Sequence, residues 1–317
     1  MAISPVAGRM VLAPAVHKAL RVGAPVVALE SALLTHGLPF PTNLDVARQL
    51  ESAVARAGST AATIAMLEGV IYVGLSESQL DALAAGRANR KLGIRDLAGA
   101  SVQSASGGTT VAGTMHVANL AGIQLFATGG IGGVHRENPQ DVSADLGALA
   151  SIPIMVVCAG AKAILDIPAT LERLESASVP VIGFRTDEFP AFYSRTSGHE
   201  VSIRLEHPAE IAAYWSVHRS LGSRSAVLIA NPIPESHEVQ HSEMEAWISE
   251  ASAEAVREGV HGQALTPFLL RRLAELSGGR SVEANKALLL NNALVASQIA
   301  AALVERGHLT EGIEPIR

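Results

Sequence analysis

Apolar runs of strand length alternate with stretches of helical period along this chain, and that alternation restricts the fold more than any other feature. Val26-Val27-Ala28-Leu29, Ala62 to Leu67, Val70 to Leu75, Ile123 to Thr128, Pro153 to Cys158, Val179 to Phe184 and Ala226 to Ala230 read as strands. They carry few polar positions, as strands covered on both faces must. Glu68-Gly69 reads as a hairpin turn between two of them. Asn43 to Ala57, Thr109 to Ala121, Ile167 to Ser176, Pro208 to Leu221, Ser242 to Glu258, Thr266 to Leu276 and Ser281 to Arg306 read as helices. Ser242 is a natural N-cap, and Ser281 with Glu283 and Asn285 opens a long final helix. The expectation is an α/β protein, α/β/α layered, with a mostly parallel central sheet and helices on both faces. There is no fixed-period repeat and no low-complexity linker, so residues 1–317 are expected to form a single domain, with room for a small inserted lobe.

Composition excludes several classes. Of 317 residues, 48% are hydrophobic, ample for a large core. The net charge is −6 with no basic run, which argues against nucleic-acid partners. Aromatics are only 3%, too few for base-stacking platforms. No run reaches roughly 18 uninterrupted apolar residues, so no membrane span is expected. The first ten residues do not read as a secretion signal. The lone Cys158 cannot form an internal disulfide and suits a reducing compartment, so a cytoplasmic protein is expected. Cys158 itself reads as a small buried hydrophobe.

In open α/β sheets, ligands sit beyond the carboxyl ends of the strands. Glu30, Thr128-Gly129-Gly130-Ile131-Gly132-Gly133, Lys162, Thr186-Asp187-Glu188 and Asn231-Pro232 all follow apolar strands. Glu30, partly desolvated there, is a candidate proton donor or a helix cap. Lys162 is one of only four lysines, and it follows Ile154 to Cys158. It reads either as an amine that can lose its proton or as a snorkelling surface charge. The loops Gly129 to Arg136 and Ser104 to Thr114 are candidate anion cradles or plain structural turns. Asp141 and Asp145 stand four apart. On a helix start they would share a face and hold Mn²⁺ or Mg²⁺ with waters, or else cap the helix.

VVALESALLTHGLPFP (Val26 to Pro41), ATIAMLEGV, GGTTVAGTM, FATGGIGGVHR, DVSADL, VVCAGAKAILD, TDEFPAFYSRTS, VLIANPIPE, LTPFLLRRLAEL and SVEANKALLLNNA cover nearly the whole chain. Together they resemble the pseudouridine-5′-phosphate glycosidase family. That resemblance implies C-glycosidic chemistry on ribose 5-phosphate, a homotrimer and a bound Mn²⁺. It implies Glu30 as proton donor and Lys162 as the nucleophile that forms an imine with the sugar. Lys91 would contact the sugar phosphate, and Val111, Ser143, Ala144 and Asp145 the substrate. Asp141 would bind the metal, His135 would line the site, and Asn285 would meet the base. A base leaving through carbon has no lone pair to protonate, which disfavours a glycosidase carboxylate pair and suits an amine. Arginine could not serve, because it does not deprotonate.

Three departures from the family pattern affect the surroundings: Gly93-Ile94 after Lys91, Ala32 after Ser31, and a shorter loop at Arg136 to Gln140. They leave three expectations open. The first is cleavage of pseudouridine 5′-phosphate to uracil. The second is C-glycosynthesis, joining ribose 5-phosphate to an aromatic carbon acceptor less polar than uracil. The third is a non-catalytic sugar-phosphate binder.

Overall fold

The computed structural model describes residues 9–310 except 39, 88–89, 137 and 261–264. In chain order the strands are β1 (Met10–Leu12), β2 (Val26–Leu29), β3 (Thr60–Leu67), β4 (Val70–Val73), β5 (Arg90–Leu92), β6 (Gly107–Thr109), β7 (Leu125–Ala127), β8 (Val134–His135), β9 (Met155–Cys158), β10 (Leu165–Asp166), β11 (Val181–Phe184), β12 (Ile203–Leu205) and β13 (Val227–Ala230). The helices are α1 (Pro14–Arg21), α2 (Thr42–Arg56), α3 (Glu77–Ala82), α4 (Ile94–Val102), α5 (Val111–Leu120), α6 (Ala144–Ser151), α7 (Ile167–Ser176), α8 (Pro208–Ser220), α9 (His241–Glu258), α10 (Leu265–Leu276) and α11 (Arg280–Thr310).

The main sheet runs β1-β4-β3-β2-β7-β9-β13-β11-β12, with β5 and β6 branching from β3. From β3 to β12 every neighbour along this path is parallel. β4 and β6 pair antiparallel with β3. The β3–β4 turn is the expected hairpin: Glu68 and Gly69 both take positive φ, 50° and 79°. Strands β2, β7, β9, β11 and β13 are buried at every residue, because helices cover both faces. α5, apolar nearly all round, rests on β2 and β7 beside α4 and α6. α11 crosses β2, β7 and β9 beside α2 and α8. By length and composition Arg280–Gly307 of α11 could cross a membrane, but half of its most apolar stretch is buried, with Leu288, Ala293, Ala296 and Ile299 in the core.

Three boundaries differ from expectation for local reasons. Gly107–Thr109 is a strand, and the helix begins at Val111 after Thr110, whose side chain caps Gly113 N–H at 3.2 Å. Gly107 and Gly108 are glycines because β6 is pressed from both sides. A Cβ at Gly107 would lie 2.4 Å from Arg90 O, and one at Gly108 would lie 2.6 Å from Ser31 O. α9 starts at His241, not after a Ser242 cap, because Val239 is pinned just before it. The Val239 N–H donates to Tyr193 O at 2.9 Å, and its carbonyl accepts from Ser194 Oγ at 2.7 Å. The last helix begins at Arg280, and Ser277 Oγ caps the Ser281 N–H at 3.1 Å.

The turn after β9 sets the position of Lys162. Ala159 N–H donates to Gly129 O at 2.8 Å, Ile131 N–H to Gly160 O at 3.0 Å, and Lys162 N–H to Ile131 O at 3.0 Å. The loops after β7 and β9 are thereby stitched into one unit. Gly160 makes this fit: its φ is +91°, and a Cβ would fall 2.0 Å from Pro190 O. Gly160→Ala should therefore destabilise the fold by about 2–4 kcal/mol, combining strained φ with overpacking. A urea titration reads this as a lower midpoint at unchanged m-value.

Candidate active site

Four strand ends converge on one pocket. β2 delivers Glu30, β7 delivers Gly129-Gly130, β9 delivers Lys162, and edge strand β5 carries Lys91. Ala32, Leu33, His36 and Gly37 follow Glu30 on a short π-helical turn and close one side of the pocket. Phe192, Leu270, Leu289 and Asn285 close the other. Open mouth included, the space is about 620 Å³.

The charges here are short of water. Glu30 opens partly onto the pocket, and burial raises its pKa above the usual carboxylate range. Lys162, the Thr128 hydroxyl and Lys91 oppose that rise, while Asp145 adds to it. Thr128 Oγ1 donates a short hydrogen bond to Glu30 Oε1 and fixes the carboxyl's orientation. Lys91 is open to solvent at the mouth, yet desolvation and the charge of Lys162 lower its pKa. Asp145 and Glu30 pull it back up. Two carboxyl groups and two amines are thus electrostatically coupled.

Asp145 does not face the pocket. It is buried in the first turn of α6, where its oxygens accept from Ala112 N at 2.9 Å and Gly132 N at 2.8 Å. Its approach requires Gly132, where a Cβ would lie 2.7 Å from Asp145 Oδ2. Ser143 is the N-cap of α6, with Oγ accepting from Asp145 N at 3.2 Å, and Ala144 is exposed. Val111 opens α5 with a buried side chain, so only its backbone is on offer to a ligand. His135 sits half-buried on β8, opposite Leu165 of β10. Of the expected site residues, Glu30, Lys91, Lys162 and Asn285 line the pocket; Val111, His135, Asp141 and Ser143 to Asp145 are not among its lining residues. The glycine loop after β7 is mainly a close-packing device. Ile131, Gly132 and Val134 spend their N–H groups on Gly160 O, Asp145 and Thr170 Oγ1.

Asp141 and Asp145 do not share a helix face, because α6 starts only at Ala144. Asp141 is exposed, and its carbonyl accepts from His135 N at 3.1 Å. Among the described residues no group of three or more His, Cys, Asp or Glu side chains could hold a metal ion. A cation at Asp141 would have one carboxylate from these residues and fill its shell with water or substrate oxygens, which suits Mg²⁺ or Mn²⁺. The shortened loop is tied down by Arg136, which pairs with Glu245 at 2.6 and 2.8 Å. Arg136 also donates to Ala163 O at 2.7 Å and Leu165 O at 3.1 Å, bracing the Lys162 turn; Glu137 lies outside the described residues. Ile94 does not alter the pocket: it is 36% exposed on α4, whose Gly93 N-cap donates to Asp96 at 2.9 Å. Cys158 is fully buried with its thiol pushed up to about 12 by burial, so it packs as the expected hydrophobe.

Several contributors were not expected from sequence. Phe192 lines the pocket with φ +63°, its N–H held by Ala159 O at 2.9 Å and its ring edge-on to Tyr193. A bulky residue in the left-handed region stores strain, and such strain gathers at functional sites. Asn292 is fully buried in α11 and donates to Thr128 O at 2.8 Å while accepting from Asn231 Nδ2 at 2.8 Å. Asn285 and Asn292 are seven apart on α11, so they share a face. That spacing was the available signal.

A carboxyl and two amines coupled at the strand ends of a mostly parallel α/β sheet have the makings of acid–base and amine chemistry. Residues 15–302 match the family described as indigoidine synthase A like protein. The chain belongs to that family. It is 52% identical to the pseudouridine-5′-phosphate glycosidase of Solibacter usitatus, covering 92% of this chain and 98% of that one. It is also 52% identical to the Thermus thermophilus enzyme of the same name, covering 88% and 98%. Among solved structures, the prealnumycin C-glycosynthase AlnA, in complex with ribulose 5-phosphate, matches with TM-score 0.88 and 38% identity over 95% of this chain and 99% of that one. An indigoidine synthase A-like protein from Thermotoga maritima matches with TM-score 0.84 and 36% identity over 89% and 94%.

The raised pKa of Glu30 has a stability consequence. The folded state holds this proton more tightly than the unfolded chain does. The linked stabilisation is complete below the unfolded carboxylate value, about 4.3, and is lost as pH rises through the raised folded value. Glu30→Gln should therefore raise the melting temperature at pH 8, with the gain disappearing near pH 4. Differential scanning calorimetry at the two pH values measures it.

Proposed function

We propose that this protein breaks the C-glycosidic bond of pseudouridine 5′-phosphate, giving uracil and ribose 5-phosphate through a lysine imine. The observation that carries this reading is the convergence of Glu30 and Lys162 on one pocket with Lys91 at its mouth, in a chain about half identical to glycosidases of that name. Lys91 takes the phosphate. Glu30, protonated because burial favours its neutral form, gives its proton to the ribose ring oxygen as the Lys162 amine attacks the anomeric carbon. The ring opens, and the nitrogen lone pair then drives out the base carbon, leaving an iminium that water hydrolyses. Asn285 offers one donor and one acceptor to the base. Its carboxamide makes no hydrogen bond among the described residues.

The same steps run backward join ribose 5-phosphate to a carbon nucleophile. A specific observation keeps this second reading in view: Leu33, Phe192, Leu270 and Leu289 make much of the wall apolar, and AlnA is a C-glycosynthase. Included in the proposal are a homotrimer, a cytoplasmic setting and a Mn²⁺ or Mg²⁺ held by Asp141, whose charge would help neutralise phosphate or substrate oxygens.

Incubation with ribose 5-phosphate and borohydride should leave a reduced sugar adduct in the intact mass, absent from Lys162→Ala. Glu30→Gln should lower kcat for pseudouridine 5′-phosphate by about 10²–10⁴. No adduct in the unmodified protein would favour a non-catalytic sugar-phosphate binder. Chelation with EDTA should lower activity and Mn²⁺ restore it, with Asp141→Ala insensitive to both. Full turnover of metal-free protein would remove the metal.

A further inference from the structure

We propose that Thr128 is the positioning residue of the proton donor: its hydroxyl occupies Glu30 Oε1, so each proton that Glu30 gives or takes passes through Oε2. The proposal rests on the reading that Glu30 and Lys162 act as described above. On that reading one carboxyl carries the whole proton count. Its proton goes to the ring oxygen as the Lys162 nitrogen bonds to the anomeric carbon and the bond from that carbon to the ring oxygen breaks. The carboxylate then takes a proton from the new secondary ammonium, which frees the nitrogen lone pair. That pair forms the iminium as the bond to the base carbon breaks. The base carbon keeps the bonding electrons and takes the carboxyl proton. Water hydrolyses the iminium and returns a proton to the carboxylate, so the cycle closes with one water consumed.

A carboxyl that both gives and takes needs one oxygen kept for the traffic. Thr128 is 1% exposed, and among the described residues its hydroxyl has a single acceptor, Glu30 Oε1. A hydroxyl carries one proton to donate. With no second acceptor, it cannot turn away and accept from a proton on Oε1 without leaving its own proton unpaired in a dry site. The proton of the neutral acid therefore resides on Oε2. Oε2 has no hydrogen bond among the described residues, and Glu30 lines the pocket. The carboxyl thus changes charge without rotating.

Thr128 is itself held from three sides. Its N–H donates to Val157 O at 3.0 Å, its carbonyl accepts from Asn292 Nδ2 at 2.8 Å, and Asn292 Oδ1 accepts from Asn231 Nδ2 at 2.8 Å. The ends of β9 and β13 and the body of α11 thereby fix the backbone, and branching at Cβ stiffens the side chain. Burial raises the Glu30 pKa, and the Thr128 hydroxyl opposes that rise by favouring the carboxylate. The other charged and titratable groups facing Glu30 are Lys162 after β9, Lys91 on β5, Asp145 on α6 and His36 on the turn that follows Glu30. Removing the hydroxyl alone leaves each of these in place.

The test uses Thr128→Val and Thr128→Cys, whose side chains donate weakly or not at all, and Thr128→Ser, which keeps the hydroxyl. With ribose 5-phosphate and borohydride, all three should trap the sugar as fully as the parent, showing an intact fold and lysine. With pseudouridine 5′-phosphate, the Val and Cys variants should lose about 10–100-fold in kcat, the worth of a hydrogen bond to a charged group. A carboxyl without its donor holds its proton to higher pH, so the alkaline limb of kcat/KM should move up in both. Glu30→Gln, which lacks that limb, assigns it. The Ser variant should stay within a few-fold of the parent with its limb unmoved. Parent-like turnover in Val or Cys would overturn the proposal. So would slow turnover with an unmoved limb, which is a structural role, a Ser variant as slow as Val, or loss of trapping in both Val and Cys. Loss in one of them leaves the other to decide. Parent-like turnover of Glu30→Gln would overturn the acid reading itself, and a parent protein that traps no ribose 5-phosphate the lysine-imine reading, which separates the failures.

Discussion

Four charges share a space that excludes much of the water they would otherwise have. Glu30 and Asp145 are the acids, Lys91 and Lys162 the bases, and Asp145 and Lys162 each act on the protonation of both Glu30 and Lys91. Desolvation is the main cause of the raised Glu30 pKa, and Asp145, held by two backbone donors, adds to it. Asp145 has both oxygens filled by backbone donors and sits at a helix start, so its charge stays in place. It makes a second negative charge on Glu30 more costly, which favours the protonated acid the chemistry needs. It also supports the cation on Lys91. At low effective dielectric such couplings act over several ångströms, so a buried counter-ion can tune a site without touching it.

Holding that arrangement explains the small residues around it. Gly132 admits Asp145, Gly130 admits the Phe192 ring, and Gly160 admits the Pro190 carbonyl, each where a Cβ would come closer than 3 Å. Glycines that looked like an anion cradle are there so that two loops and a helix start can touch. Behind them Asn292 bridges the carbonyl of Thr128 to Asn231, so the helix that covers the sheet also positions the hydroxyl that orients Glu30. Core packing and proton placement are the same contacts seen from two sides.

The sheet and its helices were legible because burial on both faces leaves no polar position in a strand, as in Val26 to Leu29 and Met155 to Cys158. Lys162 was legible only as a candidate, because a lysine after such a strand reads either as a deprotonable amine or as a snorkelling charge; the structure puts it on the pocket wall. Helix starts were less legible: Val239 and Ser277 set two of them through partners that a local cap pattern does not include. The buried setting of Asp145 was not legible, because its partners, Ala112 and Gly132, are 33 and 13 residues away. Phe192 passed as an ordinary loop residue. Its place depends on a pocket assembled from seven segments, and nothing in local spacing announces it. Ile94 erred the other way, since nearness to Lys91 in sequence did not bring it to the pocket.

Direction and partner are separate questions at this site. Microscopic reversibility makes the groups that break the C–C bond the same groups that form it, so no residue here favours cleavage over synthesis. Selection of the carbon partner is different, because it depends on what the wall can pair. Leu33, Leu270, Leu289 and Phe192 accept the faces of any flat ring, whereas the Asn285 carboxamide rewards an edge with adjacent donor and acceptor. A ring lacking that edge leaves a buried amide unpaired, a cost that a purely apolar wall would never impose. Uracil has such an edge and a plain phenol does not. Asn285, more than the apolar area around it, therefore argues for a pyrimidine-like partner.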